Sequence, residues 1–259
     1  MADGLGTEGL GADGLVVDGL VDIVLPVYNE AHVLGASVEK LLTTGRDWND
    51  FAWQITIIDN GSIDGTDEIG KKLAQADERV SFVRIDQKGR GHALRWAWSH
   101  TRAQYSLYMD IDLSTGLDAV PRMVQELRDG ADLVSGSRFH SESKVDRSLK
   151  REIIAQVYHR LVSIMFWSSS FGDPQCGFKG VRVDSIAPLL PAIENNHWFF
   201  DTELLLLADH CGREIRSIPI TWVEDPDSRV NLVQDIVDKL RGLVRVRLRL
   251  NSHVKRLGK

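Results

Sequence analysis

Apolar segments with strand character alternate with helical patterns along most of this chain, and no other feature constrains its fold as strongly. The strand-like segments lie at residues 21–27, 54–59, 80–85, 105–110, 131–136 and 214–222. The helical patterns lie at residues 31–42, 64–76, 91–102, 118–128 and 204–211. Strands joined through helices run parallel with right-handed crossovers. The alternation therefore predicts an α/β fold, with a mainly parallel central sheet and helices on both faces.

Composition narrows the class of protein. The chain has 259 residues, of which 43% are hydrophobic, enough for one large core. Its 37 acidic and 31 basic residues give a net charge of -6, which argues against a nucleic-acid-binding protein. Two cysteines are too few for a disulfide framework and indicate a reducing cytosol. Because the sequence shows neither a signal-peptide pattern nor a run of about 20 apolar residues, we expect a cytoplasmic protein without a membrane-spanning segment.

The two ends of the chain differ in charge. Residues 1–20 repeat Asp/Glu-Gly-Leu, and this density of glycine and like charge predicts a flexible acidic tail before the main domain at residues 21–229. Residues 230–259 fit a helix with a basic stripe, although 244–250 alternate as a strand would. A basic amphipathic helix suits an anionic membrane surface, and a solvated terminal helix is the alternative.

Polar residues follow each of the first four predicted strands, where ligands of open α/β sheets bind. Asp110 and Asp112 directly follow the fourth strand. In an extended chain, residues two apart point to the same side, so the two carboxylates would converge and bind Mg²⁺ or Mn²⁺. The alternative is that they cap the helix at 118–128. Four polar turns on one edge of the sheet favour a nucleotide-diphosphate site.

Several short motifs resemble family 2 glycosyltransferases of the GT-A fold. The motifs for the nucleotide-sugar half are Val-Leu-Pro-Val-Tyr-Asn-Glu at 24–30, Ile-Asp-Asn-Gly-Ser-Ile-Asp-Gly-Thr at 58–66 and Asp-Ile-Asp at 110–112. Three later motifs resemble the polyprenyl-phosphate branch, which contains the dolichyl-phosphate glucosyltransferases and mannosyltransferases and their bacterial relatives. They are Ser-Gly-Ser-Arg at 135–138, Asp-Pro-Gln-Cys-Gly-Phe-Lys at 173–179 and Trp-Phe-Phe-Asp-Thr-Glu-Leu at 198–204.

The resemblance implies roles for individual residues of the donor site. It assigns the nucleotide sugar to Pro26, Tyr28, Glu30, Asp59, Lys88 and Asp110, with Asp59 on the nucleobase. It assigns the divalent metal, Mg²⁺ or Mn²⁺, to Asp110 and Asp112. It makes Asp112, Arg138 and Asp201 the catalytic residues. The chain departs from the family pattern at Asn60, where a second aspartate is usual, and at Ser114, where mannosyltransferases tend to carry glutamine.

A loop rich in charge and hydroxyl groups, residues 140–151, has two readings. It is either a solvated loop or an acceptor loop whose basic side chains draw in a phosphate, which arginine binds in a bidentate manner. The predicted acceptor-phosphate residues are Arg138, Arg147, Lys150 and Arg151, and the family resemblance adds Arg229. The apolar segment that follows, 153–171, has helical spacing, and core packing is its default interpretation.

The resemblance implies an inverting glycosyltransferase that moves a sugar from a nucleotide diphosphate to a polyprenyl phosphate. UDP-glucose is the first choice of donor and GDP-mannose the second. The lipid acceptor implies a peripheral enzyme on the inner face of the membrane. Two alternatives stay open: a transferase with a sugar-hydroxyl acceptor, using Asp201 or Asp225 as a general base, and a nucleotide-sugar-binding module that has lost catalysis, with Asn60 and Ser114 as the eroded positions.

Overall fold

A seven-stranded sheet forms the centre of the molecule in the computed structural model, which describes residues 16–166, 172–224 and 232–257. Its strands are β1 Val17–Val27, β2 Trp53–Asp59, β3 Val80–Arg84, β4 Ala103–Met109, β5 Leu133–Ser137, β7 Phe178–Arg182 and β8 Ile215–Pro219. They lie in the order β3-β2-β1-β4-β7-β5-β8. Strands β1 to β4 pair in parallel, as do β5 and β8, whereas β7 is antiparallel to both of its neighbours. The expectation of a mainly parallel sheet is confirmed.

Eight helices cover the two faces of this sheet within the described ranges. They are α1 Ala31–Thr44, α2 Thr66–Ala76, α3 Arg90–His100, α4 Ala119–Arg128, α5 Leu149–Phe166, α6 Val183–Ile186, α7 Phe200–His210 and α8 Leu232–Leu257. Side chains alternate along a strand, so β1 sends Ile23 and Leu25 into one core and Val24 into the other. Helices α1, α2 and α4 close the first core, and α3, α5, α7 and α8 close the second.

The structure differs from the sequence-based boundaries in two places that matter for the fold. Strand β1 begins at Val17, so the last residues of the predicted tail belong to the sheet, while residues 1–15 lie outside the described part. The single strand predicted at 214–222 is two strands in different sheets. Residues Ile215–Pro219 form β8, and β9 Thr221–Val223 pairs with a short strand, β6 Lys144–Asp146.

Strand β7 is the element that sequence periodicity did not predict. It lies between β4 and β5, and Met109 at the end of β4 pairs with Phe178. This insertion brings Gly177 and Lys179 beside the carboxyl end of β4, where the predicted metal site lies. Within the described part of the chain, every helix is too short or too polar to cross a membrane.

Candidate active site

Asp110 and Asp112 lie in a turn that follows β4. The amide of Leu113 donates to the carbonyl oxygen of Asp110 at 3.1 Å, and Leu113 has a φ of 51°. The extended conformation on which the sequence argument relied therefore ends at Met109. Asp112 Oδ1 accepts a hydrogen bond from the amide of Ser114 at 2.9 Å. Neither carboxylate caps α4, because Asp118 occupies that N-cap position.

The loop between β2 and α2 holds the first turn of α1. Three consecutive amides, those of Asn29, Glu30 and Ala31, donate to side-chain oxygens of this loop. The acceptors are Ser62 Oγ at 2.8 Å, Thr66 Oγ1 at 2.9 Å and Asp64 Oδ2 at 3.1 Å. These amides would otherwise lack partners at a helix start. The two motifs of the donor half thus form one unit at the carboxyl ends of β1 and β2.

Asp59 and Lys88 lie at this same edge. Asp59 is fully buried and accepts hydrogen bonds from the amide of Ser62 at 3.0 Å and from Arg84 at 3.0 Å. The Lys88 ammonium lies 3.9 Å from the ring centroid of Tyr28, a cation–π contact that ties the β3–α3 loop to the end of β1. Pro26 is half-buried in β1 and pairs with Ile58 of β2.

Arg90, which the sequence analysis did not assign, joins two of the predicted site residues. Its guanidinium donates to Asp110 Oδ1 at 3.1 Å and to Asp201 Oδ2, and it lies 4.3 Å from the ring centroid of Trp198. Burial lowers the pKa of this guanidinium, but the contributions of Asp201, Tyr108 and Asp110 together raise it by more, so its net pKa is raised. Arg90 is therefore a fixed cation between the end of β4 and the start of α7.

Asp201 has further partners besides Arg90. The Tyr108 hydroxyl donates to Asp201 Oδ1, and the ammonium of Lys179 lies 3.8 Å from the same oxygen. Burial raises the pKa of Tyr108 well above its ordinary value, and the charge of Asp201 adds to the rise, so the phenol keeps its proton. The network buries Asp201 and Lys179 completely.

Glu203, two residues further along α7, faces a different part of the molecule. It accepts hydrogen bonds from the amide of Asn195 at 2.9 Å and from Arg245 at 3.0 Å. Arg249 pairs with Glu194 in the same region. Two arginines of the basic stripe predicted on the C-terminal helix are thus engaged by acids of the protein body, which corrects the picture of a free stripe.

Three glycines allow close approach around this network. A Cβ on Gly177 would lie 1.8 Å from Asp110 Oδ2, and one on Gly89 would lie 2.2 Å from the carbonyl oxygen of Asn196. Gly89 also has a φ of 145°, which disfavours any side chain. A Cβ on Gly91 would clash with Phe200. The Lys-Gly-Arg-Gly sequence at 88–91 is therefore the signal by which Arg90 could have been found.

Arg138 follows β5 and forms a buried bidentate pair with Asp173. Its Nε and Nη2 lie 2.6 Å and 3.0 Å from the two carboxylate oxygens. Burial raises the pKa of Asp173, but the pairing with Arg138, the charge of Lys179 and the amide of Gln175 together lower it by more, so the net pKa is lowered and the carboxyl stays ionised. Arg138 is connected to the end of β4 through the segment that holds its partner, because Gly177, four residues after Asp173, accepts a hydrogen bond from the amide of Asp110 at 3.2 Å.

The other predicted acceptor residues lie near the start of α5. Arg147 pairs with Glu152 and lies 5.8 Å from the ring centroid of Phe139. Arg151 pairs with Glu224, whose carboxylate also accepts from the amide of Ser148. Arg229 and the side chain of Lys150 lie outside the description.

An open cleft of about 380 Å³ adjoins Arg138. The residues that line it are Arg138, Phe139, Glu152, Gln156, His159 and Arg160. Nδ1 of His159 is buried and has no hydrogen-bond partner among the described residues. The sequence analysis missed Arg160 and gave His159 no role, although both follow from the helical spacing of Glu152 and Gln156. Of the predicted acceptor residues, Arg138 lines this cleft, and Arg147 contacts it through its partner Glu152.

The residues at the end of β4 fit a divalent cation in charge and in ligand type. Desolvation raises the pKa of Asp110, Arg90 lowers it, and the charges of Asp112 and Asp201 raise it again, for a net increase. A cation beside Asp110 would relieve this repulsion. Oxygen ligands are those preferred by Mg²⁺ and Mn²⁺, which keep further sites for water and phosphate. Within the described ranges, no group of three or more His, Cys, Asp or Glu side chains forms a metal cage, so the protein would supply two ligands.

Known proteins match this chain over most of its length. The glycosyltransferase AglD of Haloferax volcanii is 34% identical over 84% of the chain, which spans only 35% of that relative. The dolichyl-phosphate β-glucosyltransferase of Saccharomyces cerevisiae is 28% identical, with coverage of 88% of this chain and 74% of the yeast protein. The human enzyme of that name is 26% identical, with coverage of 92% and 78%.

Solved structures support the fold. Glucosyl-3-phosphoglycerate synthase from Mycobacterium tuberculosis, in complex with Mn²⁺, UDP and phosphoglyceric acid, superposes with a TM-score of 0.64 at 16% identity. The match covers 93% of this chain and 79% of that one. The sheet has the GT-A arrangement that the motifs implied. The family model for glycosyl transferase family 2 matches residues 22–188, and the chain belongs to that family.

Proposed function

We propose that this protein is a metal-dependent, inverting glucosyltransferase that moves glucose from UDP-glucose to a polyprenyl phosphate of the dolichyl type. The observation that carries the proposal is the position of Arg138. Arg138 lines the cleft beside α5, and its partner Asp173 lies in the same segment as Gly177, which accepts from the amide of Asp110. Arg138 therefore connects a cationic acceptor cleft to the edge that carries the proposed donor site. The relatives named dolichyl-phosphate β-glucosyltransferase support glucose and the lipid phosphate as substrates.

The donor would lie across the carboxyl ends of β1, β2 and β4. Asp59 and the loop that caps α1 would hold the nucleoside, and Lys88 would reach the diphosphate. Asp110 and Asp112 would hold Mg²⁺ or Mn²⁺, which neutralises the leaving diphosphate when bound. The Mn²⁺ and UDP named for the mycobacterial synthase support this assignment.

The acceptor needs positioning more than deprotonation. A phosphate monoester has a second pKa near 6 and is largely dianionic at neutral pH, so it is already a nucleophile. Arg138, held in plane by Asp173, presents a fixed guanidinium to it. Arg147 and Arg151 would contribute charge from the start of α5, with Lys150 and Arg229 as further predicted partners. Attack on the face opposite the leaving diphosphate gives inversion.

The alternative with a sugar-hydroxyl acceptor requires a general base, and the arrangement of Asp201 weighs against it. Both oxygens of Asp201 are engaged, by Arg90 and by Tyr108, and Lys179 is 3.8 Å away. To act as a general base, Asp201 would have to accept a proton on an oxygen that these three groups already engage. We therefore assign Asp201 to orienting Arg90. Asp225, the other candidate base, lies outside the described residues.

The reading as a lapsed binding module rested on Asn60 and Ser114. Asn60 Nδ2 still donates to the carbonyl oxygen of Val27 at 3.2 Å, and the amide of Ser114 holds Asp112. The Asn60 side chain therefore supports the donor edge, and the contact at position 114 comes from the backbone and does not depend on which side chain is present. We place the enzyme in the cytoplasm, as a peripheral protein on the inner face of the membrane, because its proposed acceptor is a lipid.

Asp112→Asn tests the metal assignment. The amide oxygen can still accept from Ser114, so the turn is kept while the charge is lost. We expect loss of glucose transfer to a short polyprenyl phosphate with an unchanged melting temperature. Asp184→Asn, at a position whose side chain is 76% exposed on α6, is the matched control. Turnover of Asp112→Asn near that of the control, or full activity of the wild type in chelator, would refute the assignment.

A panel of donors and acceptors tests the substrates. UDP-glucose and GDP-mannose are compared as donors, and a polyprenyl phosphate and simple sugars as acceptors. The proposal expects transfer from UDP-glucose to the lipid phosphate alone. Transfer to a simple sugar would favour the hydroxyl-acceptor alternative. Binding of donor with no transfer to any acceptor would favour the lapsed module.

A further inference from the structure

Two helices of the protein expose apolar stripes to solvent. On α5 the stripe consists of Leu149, Ile153, Val157 and Ile164, whose exposed fractions run from 61% to 81%. On α8 it consists of Val237, Leu240, Val244 and Leu248, with Leu248 at 78%. Positions three, four or seven apart share one helix face, so each set is a continuous line of side chains. We call the two lines together the apolar face.

The two stripes lie on the same side of the molecule. Tyr158 and Phe166 of α5 contact Lys239 and Arg247 of α8, with each cation 5.6 to 6.0 Å from the aromatic ring centroid. The contacts are eight residues apart on both helices, so the helices run side by side in the same direction. Each packs its opposite face on the same core, through Val162 of α5 and residues such as Leu243 of α8. Their outward faces therefore point away from the sheet together.

The charges along the apolar face are basic beyond its first turns, where Glu152 on α5 and the 55% exposed Asp238 on α8 lie. No acidic residue occurs between Ile153 and Phe166, or beyond Asp238 to the end of the chain, although acids outnumber bases in the whole protein. Arg160 on α5 and Arg241 and Arg247 on α8 flank the stripes. The side chain of Arg241 is 77% exposed and lies 3.9 Å from Asp238, three residues before it on the same helix. Apolar residues bordered by arginine suit a bilayer surface with anionic lipids.

The apolar face also borders the acceptor cleft. Gln156 and Arg160 line the cleft and lie on α5 next to Val157 and Ile164 of the stripe. A bilayer on this face would therefore meet the opening that leads to Arg138. A polyprenyl phosphate could then place its phosphate in the cleft while its hydrocarbon chain stays in the bilayer.

We propose that the apolar face is the membrane-contact surface of the protein and that it rests on anionic lipid through the side chains of α5 and α8. The biological role of this surface rests on the proposed lipid acceptor, but binding to lipid vesicles can be measured without any acceptor. It also changes the part played by the C-terminal helix. Arg245 and Arg249 point to acids of the protein body, and the apolar stripe with Arg241 and Arg247 faces the lipid.

The test is vesicle binding by the full chain, without nucleotide sugar or acceptor. The variant carries Ile153→Gln, Val157→Gln, Val244→Gln and Leu248→Gln, changes that remove apolar contact and leave net charge unaltered. Val16→Gln is the matched control, at an apolar position 63% exposed before β1. Vesicles contain phosphatidylcholine with phosphatidylglycerol, and phosphatidylcholine alone serves as the uncharged comparison.

We expect the wild type and the control to float with anionic vesicles, and the four-site variant to bind at least about tenfold more weakly. Arg241→Gln with Arg247→Gln should weaken binding to anionic vesicles and leave the weak binding to phosphatidylcholine unchanged. Circular dichroism establishes that each variant is folded, and the single change Leu248→Gln, with a smaller expected loss, replaces the four-site variant if that one unfolds.

Equal vesicle binding by the four-site variant and the control would overturn the proposal. So would a wild-type dimer in light scattering that the four-site variant abolishes, because the apolar face would then join two copies of the chain. Glucose transfer to a short, water-soluble polyprenyl phosphate is measured in parallel. Absence of this transfer in the wild type would refute the proposed function. If the four-site variant keeps the transfer and no longer binds vesicles, both the proposed function and the membrane-contact surface are supported.

Discussion

Removal of the Arg90 charge should destabilise the protein far more than the same change at an exposed ion pair. The side chain of Arg90 is 9% exposed and that of its partner Asp201 is 1% exposed. Breaking a buried pair by removing one partner costs about 3–5 kcal/mol, since the other charge stays buried without compensation. Tyr108 and Lys179 remain beside Asp201 after the change, so we expect about 3 kcal/mol for Arg90→Met.

Arg79→Met provides the matched control. Arg79 pairs with Asp77 at 2.7 Å, but the two side chains are 36% and 24% exposed. Exposed pairs contribute about 0–1 kcal/mol because water screens them. Methionine preserves much of the length and apolar volume of arginine in both variants. The difference between the two losses therefore isolates the effect of burial.

Urea unfolding followed by circular dichroism measures both variants against the wild type. The denaturant slope should be unchanged, so that the midpoint reports stability. Adding Asp201→Asn to Arg90→Met should recover part of the loss, since the uncompensated charge is then gone. Equal losses for Arg90→Met and Arg79→Met, or strictly additive effects of Arg90→Met and Asp201→Asn, would show that the buried pair does not hold this region together.

Three further predictions concern other groups. Asp59→Ala should weaken donor binding much more than it lowers kcat, since its proposed partner is the nucleobase; an effect on kcat alone, in steady-state kinetics, would contradict that placement. Burial raises the pKa of the Cys176 thiol to about 11, so a thiol reagent at neutral pH should modify the half-buried Cys211 first and leave Cys176 protected until the protein unfolds. The pKa of Asp173 is lowered in the folded state, so its pairing with Arg138 contributes stability that is present above the ordinary pKa of 3.8 and is lost as the pH falls below it. The urea midpoint of Asp173→Asn should therefore depend less on acid pH than that of the wild type. An identical dependence in the two proteins would be evidence against the pairing.

Local sequence patterns were sufficient for the parallel strands of the central sheet and for the polar turns at their carboxyl ends. A buried parallel strand needs a run of apolar residues, and the polar turn after it shows where the strand ends, so β1, β2 and β4 were recognisable by themselves. The position of Asp110 at the end of β4 followed from the same rule. The motif resemblance extended this to the family, which the comparison with known proteins confirmed.

Strand β7, which was not predicted, shows that local patterns do not contain the pairing between distant segments. Residues Phe178–Arg182 follow α5 in the chain, yet they pair antiparallel with β4 and β5. Which strand lies beside β4 depends on how distant segments close over the sheet. This closure also decides that Gly177 approaches Asp110 and that Lys179 is buried next to Asp201.

The sequence by itself determined the chemistry available, and the tertiary structure decided which group each side chain meets. Asp201 and Glu203 are two residues apart and both suit a helix start, yet one faces Arg90 and the other Arg245. The direction of each depends on how α7 is rotated against its neighbours, which is set by the packing of its leucines on α3 and α8. In the same way, Arg245 is engaged by acids while Leu248 is exposed, because a helix turns its side chains by 100° per residue and only the neighbouring core selects the face that is buried.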